Sequence, residues 1–459
     1  MSNPILQSNQ SSAVVATINE SETMSPWVYN ETNRLVVPHA MQILSISNSS
    51  GTVAASKTFS YDIAKNGLVQ GLWLNMTLPK TDIPAGDTQP AGAVEDADGN
   101  LVFPQTIGGT GSATTITSQN AGGFTALGLL GLIQEVRLTT SGRIVEALDK
   151  YQILARIADL PYGQRQCVQE AYRMGGDPER DASTPAGSYK ACLWLPFFFS
   201  LDPSRYHINS NFQEPFRVEV SLSDCKIGYG LAGASTATTL EVHAPTDCEL
   251  LCHYRQLDEK ALNDVVSKNY ADGLLSQIVH ISKTEAVASV DAGKLEATVE
   301  LKENEAIQSL YVIVENPNVP VTSNASSYSK AIKTGAPLEV DEFELRFNNT
   351  TVMKVPGEFV RYFGRWGMHG QCGDGASTGQ SASLMRHVYK IDFSLDYAKG
   401  AFSNCVALRE ISNPKLTVKF RPIDSGATQT AHNIHVIYDT CTFLSTSSAT
   451  GRVQLSISS

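Results

Sequence analysis

Charge is what this chain has least of: Asp, Glu, Lys and Arg make up only 18% of its 459 residues. The 35 Lys and Arg are scattered rather than gathered into a stripe, and the formal net charge is −11. Phosphate binding has no electrostatic footprint here, so direct contact with nucleic acid is not expected. Long apolar runs are missing too. ALGLLGLI (126–133) and LWLPFFF (193–199) fall far short of the roughly 20 residues that cross a bilayer as a helix, which excludes an integral membrane protein of that kind. No Lys or Arg precedes Arg34 and no apolar core of signal-peptide length precedes it, so no secretion leader is expected. The eight cysteines are widely spread without a CxxC pair, as expected of reduced thiols made in a cytosol rather than of a disulfide scaffold. CELLCH (248–253) has the wrong spacing for haem attachment or a zinc knuckle.

What is present is a globular composition, 42% hydrophobic, on a chain long enough for two domains of roughly 200 residues each. Such a chain buries enough surface to fold without staples, and its weakly charged exterior suits broad protein contacts. Strand signals recur in both halves. LVQGLWLNMTLP (68–79), FRVEVSLSD (216–224), KLEATVELKE (294–303), QSLYVIVEN (308–316), FELRFNN (343–349), HVYKIDFSL (387–395), KLTVKFRP (415–422) and HNIHVIYDTCTFL (432–444) show period-two alternation or β-branched enrichment. This spacing points to antiparallel sandwiches rather than parallel sheets with crossover helices.

Between these strands the sequence predicts a polar N-terminal arm over 1–25, a long surface loop over 79–123 and a helical insert over 143–175. Ile144, Leu148, Tyr151 and Leu154 stand at helical spacing in the insert, and Pro161 with Gly163 separates a second helical turn. Inside the long loop, the DG of AVEDADGNLVF (93–103) suggests a small hairpin. Small residues over 226–244 mark the approach to a domain boundary, placing one domain over 26–235 and another over 236–459. Trp27 and Tyr29 give the start of the ordered region an anchor, so the arm reads as a strap reaching under neighbours as well as a plain tail.

Each pattern with chemical potential has a plainer explanation. GASTG (375–379) matches G-x-S-x-G, but the flanks of Ser377 carry neither the strand nor the helix that a nucleophile elbow requires. No helix follows IGGTGSATT (107–115) to hold a phosphate. The glycine of EDADGN (95–100) comes two positions too early for a calcium-binding EF-hand loop. His432 and His435 lie three apart in a strand and so point to opposite sheet faces, which does not suit one metal. The sequons at Asn48, Asn75 and Asn348 are not taken as glycan sites. No catalytic, cofactor-binding or metal-ligating residue is nominated, and no enzyme is expected.

Several stretches also fall in a shared order. LWLNMTLP (72–79) ends in Leu-Pro; ALGLLGLIQEVRLTTSGRIVEALDKYQ (126–152) sets a glycine-bearing apolar strand before a turn and helix; YRMGGD (172–177) closes that region. LWLPFFFSLDPSRYHINSNFQEPFRVEVSL (193–222), VYKIDFSLDYAKGAFSNCVALREISNPKLTVKF (388–420) and IHVIYDTCTFLSTSSATGRVQLSIS (434–458) follow. In this order they resemble the double jelly-roll major capsid proteins of large icosahedral DNA viruses, the iridovirus and phycodnavirus type and their relatives. Ser141-Gly142 stands where that family has a double glycine, and Ala398-Lys399-Gly400 where it has Pro-Ser-Gly.

The resemblance implies an all-β chain of two consecutive eight-stranded jelly rolls, with the helical insert in the first. It also implies a homotrimer whose six rolls form a pseudo-hexameric capsomer, tiling an icosahedral shell with neighbouring capsomers, minor capsid proteins and penton proteins. An internal membrane beneath the shell, a place in the virion and assembly in the host cytoplasm belong to the same set of expectations. In that frame LWLPFFFS (193–200) is expected to be a first-roll strand buried on both faces, with Trp194 and Phe197 to Phe199 packed against the opposite sheet and the adjoining roll. A β-sandwich carbohydrate-binding or spike protein is the alternative.

Overall fold

A computed structural model of the protein describes residues 39–79, 94–95, 101–105, 114–117, 122–124, 127–160, 162–172, 174, 188–201, 208–210, 215–232, 237–257, 274–284, 287–315, 339–361, 388–393, 405–421, 431–447 and 453–455. The arm, Trp27, Tyr29 and GASTG lie outside them.

Alternation along LVQGLWLNMTLP shows how the sheets are built. Leu72, Leu74, Met76 and Leu78 point inward and are buried, while Trp73, Asn75 and Thr77 point outward and stay half-buried. Beside the short pieces Ser50–Gly51 and Ile208–Asn209, which also pair, that strand is the third of eight long strands described in the first roll. In chain order they are β1 (His39–Ser47), β2 (Thr58–Asp62), β3 (Leu68–Pro79), β4 (Ile133–Thr140), β5 (Arg143–Asp149), β6 (Ser188–Leu195), β7 (Phe216–Leu222) and β8 (Asp247–Leu257). One sheet runs β1-β8-β3-β6 and the facing sheet β2-β7-β4-β5. Apolar inner faces close on each other, with Phe216, Val218, Val220 and Leu222 of β7 entering the same core as Leu72 and Leu74.

The second roll repeats this path: β9 (Leu274–Thr284), β10 (Glu296–Glu300), β11 (Ala306–Glu315), β12 (Val340–Phe347), β13 (Thr350–Pro356), β14 (Val388–Asp392), β15 (Lys415–Phe420) and β16 (His432–Ser447). Its sheets run β9-β16-β11-β14 and β10-β15-β12-β13, so adding eight to each first-roll strand number gives its counterpart. Even the hairpins correspond. β4 and β5 join through Ser141 and Gly142 with φ of 49° and 74°, and β12 and β13 through Asn348 and Asn349 with φ of 51° and 63°. Two consecutive positive φ values fit the two-residue turn whose twist matches the flanking strands, and Gly and Asn are residues that tolerate it.

Four expectations need correction. The division between 235 and 236 precedes β8, which pairs with β1 and β3; the first roll therefore runs through Leu257, and the second roll's strands start at Leu274. The helical insert does not begin at 143, because Arg143–Asp149 pairs with β4 as β5. Helix starts only where Asp149 accepts hydrogen bonds from Tyr151 N–H and Gln152 N–H while the Gln152 side chain accepts from Asp149 N–H, a reciprocal cap opening α1 (Lys150–Asp159). α2 (Tyr162–Ala171) follows. LWLPFFFS is not one strand. β6 stops at Leu195 because Pro196 has no N–H for the ladder, and the chain turns into the single helical turn α3 (Phe198–Leu201). Phe197, Phe198 and Phe199 are buried as expected, but Trp194 points outward, directly opposite Trp73. Likewise ALGLLGLI is mostly a 3-10 turn, Gly128–Leu132, ahead of β4.

The 79–123 stretch holds the predicted hairpin, Val94–Glu95 against Leu101–Gln105, and adds Thr114–Thr117 as a third strand. Gly122–Phe124 pairs instead with the hairpin Lys226–Ala232 and Ala237–Val242, so the small-residue region forms a sheet of its own.

Candidate functional site: the joint between the rolls

β11 is buried along nearly its whole length, whereas its counterpart β3 alternates. The reason is a second layer. Leu310, Val312 and Val314 face the second roll's own core, while Tyr311 and Ile313 on the other face join the first roll's core. The same split runs along β16, with Ile434, Val436 and Tyr438 inward and Ile437 against the first roll. α1 makes this layer, packing across β9, β11 and β16, while β5 and α3 meet β9. The first roll's fifth strand and the helices around it thus cover the outer face of the second roll's first sheet.

Polar groups fix the register of this contact. Tyr151 stacks on His435 at 3.6 Å between ring centroids and 22° between planes, and its hydroxyl donates to Glu315 Oε2 at 2.7 Å. His435 Nε2 lies 3.0 Å from the same oxygen. Gln152 Nε2 donates to the Ser282 carbonyl at 3.0 Å and Thr284 Oγ1 to Asp149 Oδ2 at 3.2 Å. At the other end of α1, Tyr311 donates to Asp159, and Lys390 Nζ lies 3.3 Å from both Asp159 Oδ2 and Asp392 Oδ2. Burial pushes the Asp159 carboxyl above the usual carboxylate range despite Lys390 and Tyr311. Burial also disfavours the Lys390 charge, but Asp159, Asp392 and Asp439 outweigh it and hold that ammonium above its ordinary value.

Beneath the joint Glu146 and Arg156 form a buried ion pair at 2.5 Å, 1% and 4% exposed. Glu146 Oε2 also accepts from Phe198 N–H at 2.9 Å, and Arg156 donates to the Pro196 carbonyl. The phenylalanine turn is therefore tied to the helix that fills the joint.

His432 and His435 do stand on opposite faces of β16, the first 6.3 Å from the Phe420 ring and the second on Tyr151. CELLCH alternates as well: Cys248 and Cys252 point inward, where burial pushes their thiols up to about 12, and His253 points outward. Only Glu95 of EDADGN falls within the described residues. Among the described residues no group of three His, Cys, Asp or Glu is placed to hold a metal. The joint itself was not legible in the sequence, since its partners sit more than a hundred positions apart.

No protein-family model and no curated protein matches the sequence. Solved structures do. VP54 of PBCV-1, as fitted into a reconstruction of the virophage Sputnik, aligns over 91% of this chain and 97% of its own at TM-score 0.62 and 13% identity. The Faustovirus major capsid protein aligns over 91% and 92% at TM-score 0.57 and 10% identity, and the mavirus major capsid protein over 93% and 92% at 0.52 and 8%. The fold is a double jelly roll. These alignments span both rolls, so the double jelly roll is shared as a whole and not merely as one sandwich.

Within this double jelly roll, the contacts of Glu315 are expected to give the joint a pH dependence. Burial works against its charge, but hydrogen bonds from His435 and Tyr151 outweigh burial and hold its carboxyl below the ordinary 4.5. A depressed carboxylate stabilises fully above its unfolded value and loses that stabilisation as pH falls through the folded one. Glu315→Gln is therefore expected to lower Tm at neutral pH and to flatten the loss of stability below about pH 4.5. Thermal scans from pH 7 to 3 check this; parallel profiles for both proteins would exclude it.

Proposed function

We infer that the protein is a viral major capsid protein that trimerises into pseudo-hexameric capsomers tiling an icosahedral shell. The observation that carries this is the repeated strand path: two rolls of identical order in one chain, aligned end to end with major capsid proteins of DNA viruses and virophages. A ring of three such chains presents six similar rolls, which supplies hexagonal tiling from a trimer. Assembly energy then comes from area buried within the trimer and from weaker repeated contacts between trimers. Neighbouring capsomers, minor capsid and penton proteins and an internal membrane are the partners in this role, with synthesis in the host cytoplasm and residence in the virion. The role is structural rather than enzymatic.

Light scattering on the purified chain is expected to give three times the 49.6 kDa chain mass. Electron microscopy of its source should show hexagonal tiles. A stable monomer at micromolar concentration would overturn the trimer.

A further inference from the structure

Two of the cysteines that the sequence scatters meet in the fold. Cys405 and Cys441 lie 36 positions apart, yet the Cys405 Sγ donates to the Cys441 Sγ at 3.2 Å, and the two residues are buried at 5% and 1% exposure. Ala306, in the first position of β11, helps to bring them together. It pairs with Cys441 of β16 on one side and with Ala407 on the other, so the residues beside the two sulfurs in the ladder carry only methyl groups. Cys441 Sγ has one further polar neighbour, the Gln308 Oε1 at 3.9 Å.

The backbone holds the two thiols with different firmness. Cys441 sits within the 16-residue β16, laddered to His280 of β9 and to Ala306 of β11. Cys405 precedes a strand of only two residues, Val406–Ala407, which pairs with Ile307 and Ala306 before the turn Leu408–Glu410 leads toward β15. A two-residue pairing opens far more readily than a central strand, so Cys405 is the thiol that a soluble reagent reaches first. Burial, and then the Cys405 thiol beside it, pushes the Cys441 thiol well above its ordinary value. Cys441 therefore stays protonated until a partner sulfur is brought against it.

We propose that Cys405 and Cys441 are an oxidation site, at which a low-molecular-weight disulfide of the glutathione class is reduced and an intramolecular disulfide forms, clasping the 405–410 segment to β16. The Cys405 thiolate attacks one sulfur of the reagent, forming a mixed disulfide and expelling one thiolate, which takes up a proton. Cys441 then gives up its proton and attacks the Cys405 sulfur, forming the Cys405–Cys441 bond and expelling the second thiolate, which is protonated in turn. The pair loses two protons and two electrons, and the reagent gains both as two thiols. From 3.2 Å the sulfurs need approach by only about 1 Å to reach bonding distance. The pair is open in a reducing cytosol and closes in an oxidising compartment. A bond between positions 36 apart restricts the unfolded chain, so closure stabilises the second roll.

Peptide mapping of the purified full-length chain tests it, after incubation with glutathione disulfide and alkylation of the remaining thiols, without reduction. The expected product is a linked Cys405–Cys441 peptide, several-fold more abundant than any other cysteine pair, together with a rise in Tm that dithiothreitol reverses. In excess reduced glutathione both thiols are expected to be alkylated instead. Cys441→Ser is expected to retain one glutathione on Cys405 and to show no rise in Tm, because the second attack is lost. Adducts on the exposed Cys167 and Cys192 show that the reagent was active. If the variant fails to fold, the unmodified chain decides alone. Adducts at Cys167 without the linked peptide overturn the site; a linked peptide with an unchanged or lower Tm overturns the clasp; a bond already present in excess reduced glutathione overturns the switch. The map is read on the chain whatever its oligomeric state, so its outcome is independent of the trimer.

Discussion

Arg156→Met with Glu146 retained is expected to destabilise the first roll by about 3–5 kcal/mol, the range for removing one partner of a buried ion pair. Glu146 has nowhere else to place its charge: it is 1% exposed, and its remaining partner is the Phe198 N–H at 2.9 Å. Burial already pushes the Glu146 carboxyl up, and Arg156 is the largest influence pulling it down. Removing Arg156 lets that pKa climb further. A raised carboxylate costs most at high pH, where the folded state must hold it ionised, and the cost shrinks as pH falls through the folded value. Urea unfolding of the variant should therefore show a deficit at pH 8 that narrows toward pH 5. Glu146→Leu combined with Arg156→Met should recover most of the loss, since an apolar pair leaves no charge stranded. A single variant within about 1 kcal/mol of the unmodified protein, a loss well below that range, would mean water reaches Glu146.

Much of the double jelly roll was legible wherever one sheet face meets the core and the other meets solvent. β7 alternates throughout and β3 over its second half, and these two and β15 lie within a residue or two of where periodicity put them. β1 escaped for a physical reason. Its HAMQILSIS carries Met41 and Ile43 on the outward side, so the apolar residues do not alternate with polar ones, and the feature that hid the strand is the one that leaves its outward face apolar. The start of the insert was misread because a spacing of four, as between Ile144 and Leu148, fits a helix and a strand alike in sequence; in β5 a register shift between Ile144 and Glu146 leaves Ile144 exposed and Leu148 buried. Asp149 and Gln152 carried the deciding signal, a reciprocal cap three residues apart.

The partners across the joint were not legible. Tyr151, Glu315 and His435 come from three elements of two different sandwiches, and no local pattern announces that α1 will lie across another roll's sheet. What the sequence did carry was a hint in QSLYVIVEN, whose β11 is too uniformly apolar for a one-sided strand. A strand of that kind has both faces covered. The contrast between β3 and β11, equivalent in topology and different in pattern, is the sequence-level trace of one outer face covered inside the chain and one left half-buried.

Phe198→Ala is expected to cost about 3–5 kcal/mol, the range for truncating a buried phenylalanine. The ring is 1% exposed and meets Phe199 edge-on, 5.3 Å between centroids and 90° between planes, while Phe197 and Phe199 stack at 5.9 Å. Pro196 fixes the turn that aims all three rings inward, and Arg156 and Glu146 hold its backbone, so the site has little freedom to collapse into the space left behind. α3 also lies between β3 of one roll and β9 of the other, so the cavity would open beside the joint. The loss should therefore appear as a lower Tm together with increased hydrogen exchange at α1 and β9, well before any change at the second roll's far sheet. Phe198→Leu, which keeps most of the apolar volume, should lose much less than the alanine variant. An unchanged Tm for Phe198→Ala would show that the three phenylalanines do not anchor the turn. The rolls would then be held together by α1 and β5.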